Sequence, residues 1–179
     1  MSREVLYVGM DESNHGQGPK SRVGEIIVAT YTYSKRFWNE TEKHPNRRDY
    51  NQVKSALKTG VDYIYTHLPH EFASTQYSNL PYVAPTLVGK ILHLRYAPEI
   101  KLGLDGRLLA EDREKMMKEF ENMGFEPEIS NYIKKNKSHV GPGLVYLSHL
   151  IANELFRRSM FEIAEDSHYI PFDVIVPKR

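Results

Sequence analysis

The run Glu4-Val5-Leu6-Tyr7-Val8-Gly9-Met10-Asp11-Glu12 constrains this chain more than any other stretch, because Ser13-Asn14-His15-Gly16-Gln17-Gly18-Pro19 follows it directly. A β-branched and aromatic strand pattern ends in two adjacent carboxylates, and strand-breaking Gly, Asn and Pro come next. Two acids crowded at a strand end raise each other's energy unless a cation lies between them, and a divalent metal meets that need. The pattern returns downstream as Ile100-Lys101-Leu102-Gly103-Leu104-Asp105-Gly106. In both runs a Gly lies two residues before the Asp, so on a strand the two share a face. The missing side chain leaves room for a ligand or a backbone to approach. Asp11, Glu12 and Asp105 are therefore candidate catalytic and metal-binding residues.

Chain length matters next. With 179 residues, a single domain over 1–179 can bury a core without covalent staples. Cysteine is absent, which excludes disulfides and thiolate metal centres. Met1-Ser2-Arg3-Glu4 leads straight into the strand pattern without the apolar core of a secretion signal, and no apolar run approaches membrane-spanning length. The expectation is a cytoplasmic protein with no membrane partner. A formal net charge of +1 does not by itself advertise nucleic-acid binding. The local clusters Arg47-Arg48, Lys134-Lys135-Asn136-Lys137 and Arg157-Arg158 could line a groove for a phosphate backbone, or be solvated surface charge.

Val23 to Tyr33 reads as a strand buried on both sides, with Ile27, Ala29 and Tyr31 on one face and Ile26, Val28 and Thr30 on the other. The Gly-rich connection predicts antiparallel pairing with the first strand. Glu25, near its start, either points toward the cleft or caps a solvated strand end. Asn39 to Arg48 reads as a polar loop. Asp49 through Lys58 then forms a short helix stopped near Gly60. Val61 to Thr66 is a strand, and Ala84 to Tyr96 a helix with Pro85 in its first turn. Glu99 to Leu104 is a strand ending at Asp105, Arg107 to Met123 an amphipathic helix closed by Gly124, and Phe125 to Ile133 a strand. The last helix spans Leu144 to about Ala164, entered through Gly141-Pro142-Gly143. The tail from Tyr169 to Val176 has a strand-like core without an assigned place. This order predicts an α/β fold with a mixed central β-sheet flanked by helices, and ligands in such sheets gather at the carboxyl ends of strands.

A pair of divalent ions for phosphoryl transfer asks for about four carboxylates. Glu154 follows Leu147, Leu150 and Ile151 at helical spacing. That places it on the inward stripe, where a carboxylate needs a partner, either metal or an ion pair. His149 and Asn153 are four residues apart and so side by side. His149 is a candidate to assist protonation of a leaving group, or a helix histidine with no chemical role.

Taken together, these pieces resemble the type 2 ribonucleases H (ribonuclease HII) of the ribonuclease H-like superfamily. The resemblance rests on Gly9-Met10-Asp11-Glu12, the Gly16 to Gly24 turn, the strand Val23 to Tyr33, Asp105 ahead of an amphipathic helix, and the Lys134-Lys135-Asn136-Lys137 segment leading into Leu144 to Arg158. It implies a ribonuclease H-like fold and a divalent-metal-dependent nuclease acting on nucleic acid, an RNA/DNA hybrid or a duplex. Two Mg²⁺ or Mn²⁺ ions would be held by Asp11, Glu12, Asp105 and Glu154. Asn14, His15, Gly16, Lys135, Lys137 and His149 would contact the substrate. The turn here is longer than the family's and lacks its Arg, and Asn153 stands on the family's fourth acid with Glu154 beside it. Those departures motivate a second reading, a nucleic-acid-binding module of the same fold with a degraded site, and the short chain of near-neutral charge leaves open a third, a hydrolase of another phosphate-bearing substrate.

Overall fold

The computed structural model describes residues 4–13, 24–43, 50–69, 79–106, 108–135, 138–158 and 166–171. These form β1 (Val5–Ser13), β2 (Glu25–Thr32), β3 (Glu40–Lys43), α1 (Tyr50–Lys58), β4 (Asp62–Leu68), α2 (Leu80–Leu94), β5 (Glu99–Asp105), α3 (Ala110–Asn122), β6 (Glu128–Lys135), β7 (Ser138–Pro142) and α4 (Gly143–Arg157). The strands join in one seven-stranded sheet of order β3-β7-β6-β5-β1-β2-β4. β1 pairs antiparallel with β2 and parallel with β5, and β5 pairs parallel with β6. The expected mixed α/β architecture is what the chain adopts.

Each face of the sheet has its own core. Leu6, Val8 and Met10 of β1 join Ile27, Ala29 and Tyr31 of β2 under α2 and α3, while Tyr7, Ile26 and Val28 lie under α1 and α4. The two-faced reading of β2 therefore holds, and a strand covered on both sides needs the near-continuous apolar run seen there.

Several boundaries differ from the sequence reading. The polar stretch from Asn39 contains β3, which pairs antiparallel with β7 (Thr41↔Gly141). Hydrophobic alternation could not reveal an edge strand written Glu-Thr-Glu-Lys, because charged residues are what edge strands carry. Gly141 and Pro142 end β7 rather than forming a bare helix entry. α2 begins at Leu80, so Pro81 occupies the first turn and Pro85 the helix interior. Glu25 is no solvated strand end: it is buried, and its Oε2 accepts a hydrogen bond of 2.8 Å from the Asn79 side chain. Tyr169 bridges to Tyr65 of β4, whereas residues 172–176 of the strand-like tail lie outside the described residues, as does the end of the last helix expected near Ala164.

Candidate metal and nucleic-acid site

β1 and β5 run parallel with Gly9 opposite Gly103 and Met10 opposite Leu104. The next positions, Asp11 and Asp105, thus fall side by side at the carboxyl ends of neighbouring strands, which lie about 4.8 Å apart. Both share a face with their glycines, the face that α4 covers. The space at Gly9 is filled by a neighbouring backbone and that at Gly103 by neighbouring side chains. A Cβ built on Gly9 would stand 2.4 Å from the Leu144 carbonyl carbon and 2.5 Å from the Val145 nitrogen, and one on Gly103 would meet Val145 Cγ2 at 2.8 Å. Two glycines on adjacent strands let the first turn of α4 settle directly onto the sheet.

A buried polar knot fixes that contact. The Ser148 hydroxyl donates to the Gly9 carbonyl at 2.7 Å, and the Thr30 hydroxyl donates to the Leu144 carbonyl at 2.9 Å. The Thr30 amide donates to Ser148 Oγ at 3.2 Å. Such buried groups are costly to leave unsatisfied, so the knot sets the height and rotation of α4. Sequence reasoning placed Thr30 on a buried face without a partner and passed over Ser148; the available signal was a serine among Leu144, Leu147 and Ile151 on the apolar face.

With α4 so placed, His149 stands over Asp11. Its Nδ1 lies 2.7 Å from Asp11 Oδ2, and its Nε2 lies 2.9 Å from the Asn153 side-chain nitrogen. Asp11 Oδ1 accepts the Glu12 amide at 2.7 Å. The Asp11 side chain is nearly sealed and His149 is about one-third exposed, so the imidazole stands between the buried carboxylate and solvent. Asp105 is half-buried. The turn after it is held by the Gly106 amide donating to the Tyr132 carbonyl at 2.8 Å and by the Asn131 side chain donating to the Gly106 carbonyl at 2.7 Å. Gly106 has φ of +72°, a conformation that a side chain would oppose.

Tyr132 pairs with Asp105 across β5 and β6 and is buried. Burial raises its phenol pKa far above the ordinary value, with the charges of Tyr146, Asp105 and Asp11 adding to the rise. The pairing sets Tyr132 beside Asp105, and the sequence carried no motif to announce it.

Glu12 is buried, and strand alternation turns it to the opposite face, with Met10. Glu154 lies five residues beyond His149, about 140° round the helix from it. Its carboxylate is clasped by neighbours on its own helix, Arg157 at 2.6 Å and Arg158 at 2.6 Å. The Arg157 hydrogen bond, reinforced by Arg158, holds its pKa below the ordinary carboxylate value. The side chain is mostly covered, and two exposed arginines of its own helix satisfy it. Asn14, His15, Gly16 and Lys137 lie outside the described residues, and Lys135 ends β6. Among the described residues, no three His, Asp or Glu side chains already converge as a metal centre. Nor is any described helix long and apolar enough to cross a membrane.

No protein-family profile matches the chain, and no curated protein sequence does. A solved structure does: it is described as the PCNA:RNase HII complex from Archaeoglobus fulgidus, and the likeness spans 92% of this chain and 81% of that one, with a TM-score of 0.50 and 12% identity. The fold is ribonuclease H-like. At that identity the likeness speaks to the fold alone, and chemistry must be argued from the side chains.

Proposed function

We propose that the chain is a divalent-metal-dependent nuclease that hydrolyses phosphodiester bonds, with the RNA strand of an RNA/DNA hybrid as its first candidate substrate. The observation that carries this reading is the parallel register of Gly9 with Gly103 and Met10 with Leu104, from which Asp11 and Asp105 follow at adjacent strand ends. Two carboxylates in that register offer hard oxygen donors, which suit Mg²⁺ or Mn²⁺. A buried aspartate held by an imidazole is also a group that a cation could take over. The donor set therefore fits a divalent ion held by Asp11 and Asp105. A second ion would need Glu12 to reach round the strand end, and Glu154 to leave its arginines.

A bound ion of this kind lowers the pKa of an attacking water and stabilises the departing oxygen. The chain's own residues do the positioning. Asp11 and Asp105 are fixed by the parallel register and by the Gly106 turn. Tyr132, buried beside Asp105 in the ladder, would limit water at that carboxylate. His149, part-exposed above Asp11, stands where a phosphate group would arrive and can offer it a hydrogen bond. Exposed basic residues at the end of α4 would meet the nucleic-acid backbone and carry little sequence information.

The test is cleavage of an RNA/DNA hybrid, and of duplex DNA carrying one ribonucleotide, with Mg²⁺ or Mn²⁺ supplied. Cutting that requires metal and disappears in Asp105→Asn supports the proposal. Equal cutting by wild type and Asp105→Asn refutes it. A second reading, a nucleic-acid-binding module without catalysis, draws on the arginine clasp around Glu154. It is favoured by tight hybrid binding with no cleavage under any metal.

A further inference from the structure

We propose that the cavity between Trp38 and Pro142 receives one unpaired base of the nucleic-acid substrate, stacked on the indole and hydrogen-bonded by Ser130 and Asn131. The inference deepens the nuclease reading and rests on it for the class of substrate.

Position comes first. The cavity measures about 520 Å³ and lies where β7 turns into α4. Ser130 and Asn131 of β6 line it, opposite Gly103 and Leu104 of β5. Ser130 therefore shares the face of Asp105 and stands two residues behind it, about 7 Å along the strand. That is the reach from a nucleotide's phosphate to its own base. Pro142 closes the side toward α4, since its Cγ would lie 3.1 Å from a Cβ on Gly103. The opposite wall is equally fixed: the Trp38 amide donates to the Lys35 carbonyl at 2.9 Å, and the Gly143 amide donates to the Asn39 carbonyl at 3.3 Å.

The lining selects the occupant. Among the described residues along it, no side chain is charged, so a phosphate would find no counter-charge inside. The part of a nucleotide that suits such a space is the flat, uncharged heterocycle. Trp38 offers an aromatic face, and buried Tyr7 backs the indole, with ring centroids 5.5 Å apart and planes tilted by 40°. Ile133 and Pro142 supply further apolar surface. The edge of a base needs donors and acceptors. Ser130 has a hydroxyl that serves as either. Asn131 gives one N–H to the Gly106 carbonyl at 2.7 Å and has a second N–H and a carbonyl oxygen to offer. It thereby joins the base site to the turn that follows Asp105.

Charge outside the cavity complements this chemistry. Lys35 and Arg36 are exposed in the turn just ahead of Trp38, and the Arg36 guanidinium lies 4.4 Å from the Phe37 ring centre. Cations interleaved with aromatic rings hold single strands by dividing the work, the cations taking phosphates and the ring a base. A paired base is barred from such a pocket, so the nucleotide must lie in a single-stranded stretch or leave its helix to enter.

The chain has one tryptophan, so its fluorescence reports on this cavity alone. The experiment titrates the full chain, in EDTA to prevent cleavage, with a single-stranded oligoribonucleotide and with an abasic oligomer of the same length and charge. The intact oligomer should quench Trp38 saturably, and the abasic one should leave it unchanged. Anisotropy of a fluorescein-labelled oligomer should show binding about 10-fold weaker in Trp38→Ala, as the loss of one base stack implies, with most of that loss recovered in Trp38→Phe. Ser130→Leu, which narrows the cavity while leaving the indole in place, should bring the intact oligomer down to the affinity of the abasic one. No binding of either oligomer, binding of the intact one without change at Trp38, or equal quenching by the abasic one overturns the inference. Metal-dependent cleavage that requires Asp105 would leave the nuclease reading standing even then. Base-dependent quenching by a protein that never cleaves keeps the base pocket and removes that reading instead.

Discussion

Gly9→Ala tests the placement of α4, on which the whole candidate site depends. The added Cβ would lie 2.4 Å from the Leu144 carbonyl carbon, 2.5 Å from the Val145 nitrogen and 2.6 Å from Leu144 Cβ. Carbon atoms in contact stand about 3.5–4.0 Å apart, so the helix must retreat by roughly 1 Å. Backbone cannot rotate aside as a side-chain tip can. A retreat of that size carries the Ser148 to Gly9 bond from 2.7 Å, and the Thr30 to Leu144 bond from 2.9 Å, past hydrogen-bonding range. Overpacking costs about 1–3 kcal/mol, and each lost buried hydrogen bond about 1 kcal/mol. The expected loss is thus about 3–5 kcal/mol, a large share of the stability of an ordinary domain. Urea denaturation of wild type and variant measures it. Gly103→Ala is the internal comparison, because its new Cβ meets only side-chain atoms of Val145 and Pro142, at 2.8–3.2 Å. It should cost clearly less. If Gly9→Ala unfolds within about 0.5 kcal/mol of wild type, as a neutral surface change would, the close seat of α4 on β1 is wrong.

Two further predictions concern charge. Glu154→Gln should leave divalent-cation uptake unchanged by calorimetry, because its carboxylate is engaged by Arg157 and Arg158; loss of uptake would return Glu154 to the metal site. Alkaline pH should destabilise the fold. Burial, then the charge of Asp62, pushes the Tyr31 phenol up to about 12, and burial, then Asp166, does the same to Tyr63. A folded-state pKa above the unfolded value of about 10 gives stability that is complete below pH 10 and lost as pH rises toward 12. Urea midpoints that hold steady between about pH 9 and about pH 11.5 would show that these phenols ionise as freely in the fold as in the unfolded chain.

Much of this protein was legible in one dimension because the relevant physics is local. Alternation and apolar runs located β1, β2 and β5, and strand breakers showed where they end. The glycine two residues ahead of each aspartate marked a close approach on the acid's own face. The polar edge strand β3 carried no such pattern, since its pairing with β7 is made with distant residues, and β7, which also pairs with its neighbour β6, is too short to show one. The partners of Tyr132, Thr30 and Ser148 escaped notice for a like reason: they lie far away in the chain.

The sequence by itself determined that two aspartates would end buried strands in a mixed α/β sheet, because period-two patterning and chain-breaking residues are properties of neighbours. Only the tertiary structure decided which other groups join them. Glu154 and His149 share one helix, and helical periodicity alone favoured the glutamate. The seating of α4 on Gly9 and Gly103 fixed its rotation, set His149 against Asp11 and left Glu154 to its arginines. That choice depends on how two surfaces meet, and no spacing within either one contains it.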